Sequence, residues 1–265
     1  MNKLFLHHRY IDLPPRDLSD NGNDGIGYYL IPGDRSLSGA VGFNGSTSWI
    51  KVPRPQNTDN QSMDNLGQFK GRVVFRVDPA APAHRLNLVE GYLSFAIYIN
   101  PDRSVSFTIV DRDRKWNGCS SSPGLVSTGV WHTLVAAHDG ISEARIGLDA
   151  EVVASHKDVL GPVPSVGDLG IAIGRWPDEP RYQFQGYLSE VALSKFDPVP
   201  EINLVLGAPC IDAEALAALL QRISNRVGEE RLATWAHELQ GVLHQVAQVV
   251  QINEPSIMWT RIPVS

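Results

Sequence analysis

Two stretches of this sequence carry the residue types that recognise sugar rings: "DRDRKWNGCSSSPG" (Asp111 to Gly124) and "GRWPDEPRYQ" (Gly174 to Gln183). Each sets one Trp among Arg, Asp and other polar residues; the aromatic face supplies stacking area and neighbouring polar groups orient a ligand. Trp116 and Trp176 are therefore the candidate binding aromatics, with Asp113, Asn117, Asp178 and Arg181 as polar contacts. The competing reading of both Trp residues is structural cover. Trp49 and Trp131 lie in strand-like runs and are expected in the core, which turns His132 to the opposite side of its strand.

Catalytic chemistry finds less support. Glycoside cleavage needs two carboxylates facing each other across the scissile bond. Glu90, Asp111, Asp113 and Glu190 are isolated or loop-borne and read as solvated. A nucleophile elbow of the Gly-x-Ser-x-Gly type does not occur in the sequence. His7 and His8 have no nearby Cys or acid pattern, and His237 and His244 are about two helical turns apart, too far to chelate one ion unaided. These histidines read as surface or interface residues, and the chain reads as a non-enzyme.

What positions the aromatic loops is set by the rest of the chain. Its 265 residues suffice for one large all-β domain with an appendage, or for two modest domains. Hydrophobic content of 43% and charged content of 20% describe a globular protein rather than a disordered one. A net charge of −6 and an isoelectric point near 5.7 provide no basic field for a phosphate backbone, so nucleic acid is not an expected partner. The N-terminal apolar run is interrupted by His7, His8 and Arg9, no classical signal peptide is visible, and no apolar run is long enough to span a membrane. Cys119 and Cys210 permit one disulfide, but two reduced thiols are the expectation.

Up to about Phe196 the segments are short, rich in Val, Ile, Phe and Tyr, and punctuated by Gly, Pro, Asn and Asp. Phe69 to Asp78, Gly91 to Asn100, Ser104 to Asp111, Val130 to Gly140 and Glu143 to Ser155 each alternate in and out of a core, and Asn100-Pro101-Asp102-Arg103 is a hairpin turn signal. A mainly β sandwich follows for residues 1–200. In residues 201–265 the period changes. Leu216, Leu219, Leu220, Ile223 and Val227 recur at helical spacing after Asp212, a suitable N-cap, and Gly228 breaks the pattern. Leu232, Trp235, Leu239, Val242, Val246 and Val249 then form one apolar stripe, so the chain is expected to end in a helical hairpin and an extended tail. That stripe points to assembly, either as a homo-oligomer or with a larger protein complex, with packing back on the sandwich as the alternative.

Four segments in order resemble the laminin G-like, concanavalin A-like lectin/glucanase jelly rolls. They are "DLSDNGNDGIGYYLIPG" with "AVGFNGSTSWIKVP", then "GVWHTLVAAHDG", then "ARIGLDAEVVAS", and finally "IAIGRW" with "FQGYLSEVALSKF". The resemblance covers about Asp12 to Phe196 and implies a jelly-roll β-sandwich of two antiparallel sheets. In the closing segment, Gly186 marks a place where a side chain would crowd its neighbours. The chain departs from the family pattern at three positions: Ser189 stands where an Asp is common, Ala150 where a hairpin Gly is usual, and His138 where Tyr is usual. The second departure suggests a different turn.

The resemblance also implies a structural calcium site near a sheet edge, for which Asp17, Asp20, Asn21, Asn23 and Asp24 are the oxygen-bearing candidates. Ser189 is a poor calcium ligand, and the same loop composition also suits an Asx turn held by its own hydrogen bonds. The laminarinase-type acid motifs of the family do not occur here. The expected function is thus a non-catalytic recognition module that binds a glycan or protein surface through its loops. The alternatives are a structural subunit or cap without a small ligand and, last, a glycan-cleaving enzyme.

Overall fold

Alternation of buried and less buried residues builds the longer strands of this protein, which a computed structural model describes over residues 2–10, 13–33, 39–56 and 60–196. The clearest case is β6, Gln68–Val77, where Phe69, Gly71, Val73, Phe75 and Val77 are buried and the residues between them are not. Fifteen strands occur in all among the described residues. The others are β1 (Asn2–Arg9), β2 (Ile26–Tyr28), β3 (Ile31–Pro32), β4 (Val41–Asn44), β5 (Trp49–Val52), β7 (Leu86–Gly91), β8 (Phe95–Ile99), β9 (Val105–Val110) and β10 (Trp116–Ser120). After these come β11 (Trp131–His138), β12 (Glu143–Leu148), β13 (Glu151–Lys157), β14 (Ile171–Ile173) and β15 (Gln185–Phe196).

They form two antiparallel sheets. The first runs β13-β12-β11-β6-β15-β4-β3, with β1 added along the second half of β15. The second runs β10-β9-β8-β7-β14-β5-β2. The core lies between them, where Phe69 of the first sheet meets Phe95 and Phe107 of the second at ring-centroid separations of 4.5 and 5.7 Å. Each such fully buried ring contributes roughly 1.5–3 kcal/mol, so the inner faces hold the sheets together.

Gly186 sits where β15 passes β6, at φ 149°, and a Cβ there would lie 2.2 Å from the Arg76 carbonyl oxygen. The crowding expected from sequence is thus backbone against backbone. Two expectations need correction. Trp131 is 37% exposed and His132 is buried, because the core face of β11 is His132, Leu134, Ala136 and His138. Trp49 likewise lies on the outer face, since its neighbour Ile50 takes the inward position and pairs with Ile173. The β12–β13 hairpin also keeps a tight left-handed turn, with Asp149 at φ 50° and Ala150 at φ 72°, although Ala150 lacks a glycine's freedom.

The sandwich falls within a compact unit spanning Met1–Glu201. The expected helical hairpin, its stripe from Leu232 to Val249, and Cys210 lie outside the described residues. Among the described residues no helix is long and apolar enough to cross a membrane.

Candidate functional site

The outer face of the second sheet is where the aromatic candidates converge. Pairing fixes which side chains share that face: Glu90 lies opposite Ala96, Ala96 opposite Thr108, Asn87 opposite Tyr98 and Val110 opposite Trp116. Their strand neighbours Phe95, Ile97, Phe107 and Ile109 point into the core, so Glu90, Tyr98, Thr108 and Trp116 point out.

Trp116 opens β10, which the sequence reading treated as loop. The strand exists because Trp116 to Ser120 add a full backbone ladder to β9, a tertiary opportunity the residues Trp-Asn-Gly-Cys-Ser do not advertise. Gly118 is needed for the close approach, since a Cβ there would lie 1.9 Å from the Phe107 carbonyl oxygen. The preceding turn is tied by Asp111, whose Oδ1 accepts from the amides of Asp113 and Lys115 at 2.9 Å.

Trp176 arrives from the loop between β14 and β15. That loop is closed over the sheet by the amide of Asn87 donating to the carbonyl of Tyr182 at 2.9 Å, and by the amide of Trp176 donating to the carbonyl of Arg181 at 3.0 Å. The rings of Trp176 and Tyr182 then lie 6.1 Å apart.

Together Trp116, Trp176, Tyr182, Tyr98, Thr108, Arg85 and Glu90 line a pocket of about 260 Å³. Arg85 is held between two rings, 3.7 Å from the Tyr98 centroid and 4.6 Å from that of Tyr182. Its Nε donates to Asn87 Oδ1 at 2.7 Å and its Nη2 to Glu90 Oε2 at 3.0 Å. Asn87 Nδ2 donates to the same Glu90 oxygen at 2.5 Å. Glu90 is only 2% exposed, and burial pushes its carboxyl up to about 7 against the opposing pull of Arg85 and Asn87.

Glu90 is therefore not the solvated carboxylate read from sequence. Glu190, which lies in the first sheet, also departs from that reading: it bonds His7 Nε2 at 3.2 Å and pairs with Arg72 of the adjacent strand β6. The sequence reading missed Arg85, Glu90, Tyr98, Thr108 and Tyr182 as pocket residues. For Tyr98 the signal was present, as the polar-side member of the Phe95–Ile99 alternation. Arg85 and Tyr182 gave none, because only pairing across strands brings them to the same place.

The remaining expected contacts sit around the pocket rather than in it. Arg181 lies 5.8 Å over the Trp176 ring and pairs with Glu179 at 2.5 Å. Asn117 turns its Nδ2 to the Asp158 carbonyl at 3.0 Å. Asp113 is exposed in the turn before β10, and Asp178 is exposed in the Trp176 loop. On the same sheet face Tyr28 stacks on Trp49 at 4.7 Å and 9°, with Arg175 3.8 Å over the indole.

A larger hollow, about 540 Å³, lies on the outer face of the first sheet, lined by Val135, Ala137, Ile146, Gly147 and Val152 among others. Its walls are largely aliphatic and it lacks the aromatic platform that the smaller pocket has.

The acidic N-terminal loop is turned in on itself. Asp17 Oδ1 accepts from the amides of His7 and Ser19 at 2.9 and 3.0 Å, while Oδ2 accepts from the Ser19 hydroxyl at 2.7 Å and the Asn23 amide at 2.9 Å. Asp24 Oδ1 accepts from the Asp17 amide at 2.7 Å, and Asn21 Nδ2 donates to the carbonyls of Leu4 and Ser19. Asn23 is buried with Nδ2 bonded to the Phe5 carbonyl, and Asp20 is exposed with φ 65°. The four lone-pair positions of the Asp17 carboxylate are taken up by these four donors, the pattern of an Asx-turn loop held by its own hydrogen bonds. Among the described residues no group of three or more His, Cys, Asp and Glu side chains is placed to hold a metal.

Two facing antiparallel sheets with this strand order form a β-sandwich of the jelly-roll kind. The Laminin_G_3 family model, described as the concanavalin A-like lectin/glucanases superfamily, matches residues 44–196, more than half of the chain, and the chain belongs to that family. Among solved structures it is similar to the botulinum neurotoxin serotype D binding domain, at 13% identity and a TM-score of 0.55 over 74% of this chain and 49% of that one. The type G receptor binding domain gives 15% identity and a TM-score of 0.54, with coverage of 74% and 49%. The binding domain of botulinum neurotoxin DC, solved in complex with rat synaptotagmin II, gives 11% and 0.54 with the same coverage. At such identities the likeness is one of fold, and the chain spans about half the length of the solved chains it matches. No curated protein sequence matches the chain significantly.

Proposed function

We propose that this chain is a non-catalytic recognition module that binds a glycan in the pocket on the outer face of its second sheet. One observation carries the reading: Trp116 and Trp176, far apart in sequence, line the same hollow over the ion-paired Arg85 and Glu90. Stacking area beside a fixed polar pair is what a sugar ring requires, since its C–H faces are apolar and its rim is hydroxylated. A volume of about 260 Å³ suits one ring rather than a large ligand.

The non-catalytic part rests on carboxylate count. Among the described residues Glu90 is the one carboxylate lining the pocket, and glycoside hydrolysis by acid and nucleophile, or by acid and base, takes two. A raised carboxyl alone can donate a proton but leaves the opposite face of the sugar without a base or nucleophile.

Glycan-array binding of the full chain tests the reading, with Trp116→Ala and Trp176→Ala as paired variants. Each is expected to lose at least tenfold in affinity while melting cooperatively. Loss of cooperative melting in both variants, with no glycan bound by the parent, would make the two Trp residues structural cover. Release of reducing ends from polysaccharides by the parent would overturn the non-catalytic reading.

Assembly through residues 201–265 is a further part of the proposal, and it rests on the apolar stripe from Leu232 through Leu239 to Val249. Sedimentation of the full chain against one ending at Pro200 tests it. The full chain is expected to be the larger species per mass of polypeptide. A full chain that stays monomeric and captures no partner would remove this part alone.

A further inference from the structure

The pocket has two polar atoms whose bonding is incomplete, and they belong to the two partners of its ion pair. Arg85 uses Nε on Asn87 and Nη2 on Glu90, and Nη1 donates to no described residue. Glu90 receives both of its hydrogen bonds at Oε2, and Oε1 accepts from no described residue. Neither atom is among the buried polar atoms that lack partners, so solvent reaches both, although Glu90 as a residue is only 2% exposed. Each residue lines the hollow, so a free donor and a free acceptor are presented there beside the indoles of Trp116 and Trp176.

We infer that this pocket selects an uncharged pyranose through two adjacent hydroxyls, one donating to Glu90 Oε1 and its neighbour accepting from Arg85 Nη1. The inference rests on reading the pocket as a glycan site. Vicinal hydroxyls are the common group that offers a donor and an acceptor side by side, and each can take the complementary role by rotating its proton. Stacking of the ring on an indole leaves those rim hydroxyls pointing at the sheet floor.

Charge sets the second half of the selectivity. Among the described residues Arg85 and Glu90 are the only charged ones lining the hollow, and when both are ionised their charges cancel. A sugar carboxylate or sulfate reaching for Arg85 meets the carboxylate of Glu90, a residue only 2% exposed, at close range. It must either displace Glu90 from the guanidinium or leave two like charges together. The guanidinium lies against the rings of both Tyr98 and Tyr182, so swinging Arg85 toward an anion costs those contacts. A neutral sugar needs neither change.

Ligand-observed NMR on the full chain at pH 8, where Glu90 is ionised, tests this with methyl glucoside, galactoside and mannoside. The panel includes their 2-, 3- and 4-deoxy analogues and glucuronate. At least one neutral parent is expected to bind, to lose about tenfold on removal of either of two adjacent hydroxyls, and to bind at least tenfold better than glucuronate. Glu90→Gln is expected to raise glucuronate relative to the neutral parent by at least tenfold. Equal binding of all deoxy analogues, glucuronate binding as well as the neutral parent, or an unchanged ratio in Glu90→Gln would each overturn the inference and leave the glycan reading standing. Binding of none of these sugars, or of any array glycan, by a cooperatively folded chain would remove both.

Discussion

Glu90 Oε2 accepts from Arg85 Nη2 at 3.0 Å on the floor of an aromatic pocket, an ion pair in which the carboxylate is nearly sealed and the guanidinium is not. The asymmetry arises from strand geometry. Glu90 is the outward residue of an inner strand, β7, whereas Arg85 approaches from just before it and stretches between Tyr98 and Tyr182. Burial without full compensation is why the carboxyl titrates near 7 rather than near its ordinary 4.5.

A stability consequence follows from linkage. Because the folded state holds the Glu90 proton more tightly than the unfolded state, its contribution is fully present below about 4.5 and is lost as pH rises to about 7. Glu90→Gln cannot ionise, so its stability relative to the parent is expected to rise across that window by on the order of 3 kcal/mol and to stay level above it. Urea unfolding at pH 4.5 and pH 8 checks this. A parent-minus-variant difference that is the same at both pH values would show that Glu90 titrates normally.

His138 acts in the opposite sense. Its Nε2 donates to the Val159 carbonyl at 2.7 Å and its Nδ1 accepts from the Gly140 amide at 2.9 Å, so the ring is held neutral, and burial keeps its value below the usual 6.5. His8 is buried and lowered for the same first reason. Stability from both is present above 6.5 and is lost as pH falls toward their folded-state values, at up to about 1.4 kcal/mol per pH unit for each. In the Glu90→Gln background, where the opposing slope is gone, adding His138→Gln is expected to flatten part of the remaining acid slope. An identical slope in both backgrounds would sink the assignment to His138.

The Asp149-Ala150 turn carries a correctable strain. Ala150 at φ 72° occupies the left-handed region, which costs a non-glycine residue roughly 1–2 kcal/mol. Asp149 at the first position is compensated by its bonds to His132 Nδ1 at 2.7 Å and the Thr133 amide at 2.8 Å. Ala150→Gly is expected to raise the melting midpoint by about 2–4 °C, which corresponds to about 1 kcal/mol in a domain of this size. A lower midpoint would mean that the turn relaxes from this geometry in solution.

Asp17 is expected to matter for stability without calcium. Its carboxylate accepts four hydrogen bonds that tie β1 to the following loop, and Asp17→Ala leaves those donors to water at a cost of about 1–3 kcal/mol. Melting midpoints of the parent in chelator and in excess calcium are expected to coincide. A calcium-dependent rise in the parent that vanishes in Asp17→Ala would instead place an ion in the loop.

Alternation in Phe69–Val77 and Phe95–Ile99, turn residues at Asn100 to Arg103 and the requirement for glycine at position 186 are all local properties, so the sandwich was legible in the sequence. Trp116 and Trp176 stand out in the sequence as large aromatics set among polar residues in punctuated segments, but nothing local says that they line one hollow. What only the tertiary structure decided is which side chains meet. Alternation says that two faces exist but not which one a given Trp takes, and Trp49 and Trp131 turned outward because Ile50, and His132 with Leu134, held the inward registers. The pocket itself depends on the order β10-β9-β8-β7-β14, which brings Trp116, Tyr98, Glu90 and the Trp176 loop side by side across segments distant in sequence. Strand order is set by long-range burial of the two inner faces rather than by any local preference, and so the partnership of Arg85, Glu90 and Tyr182 had no local signature to read.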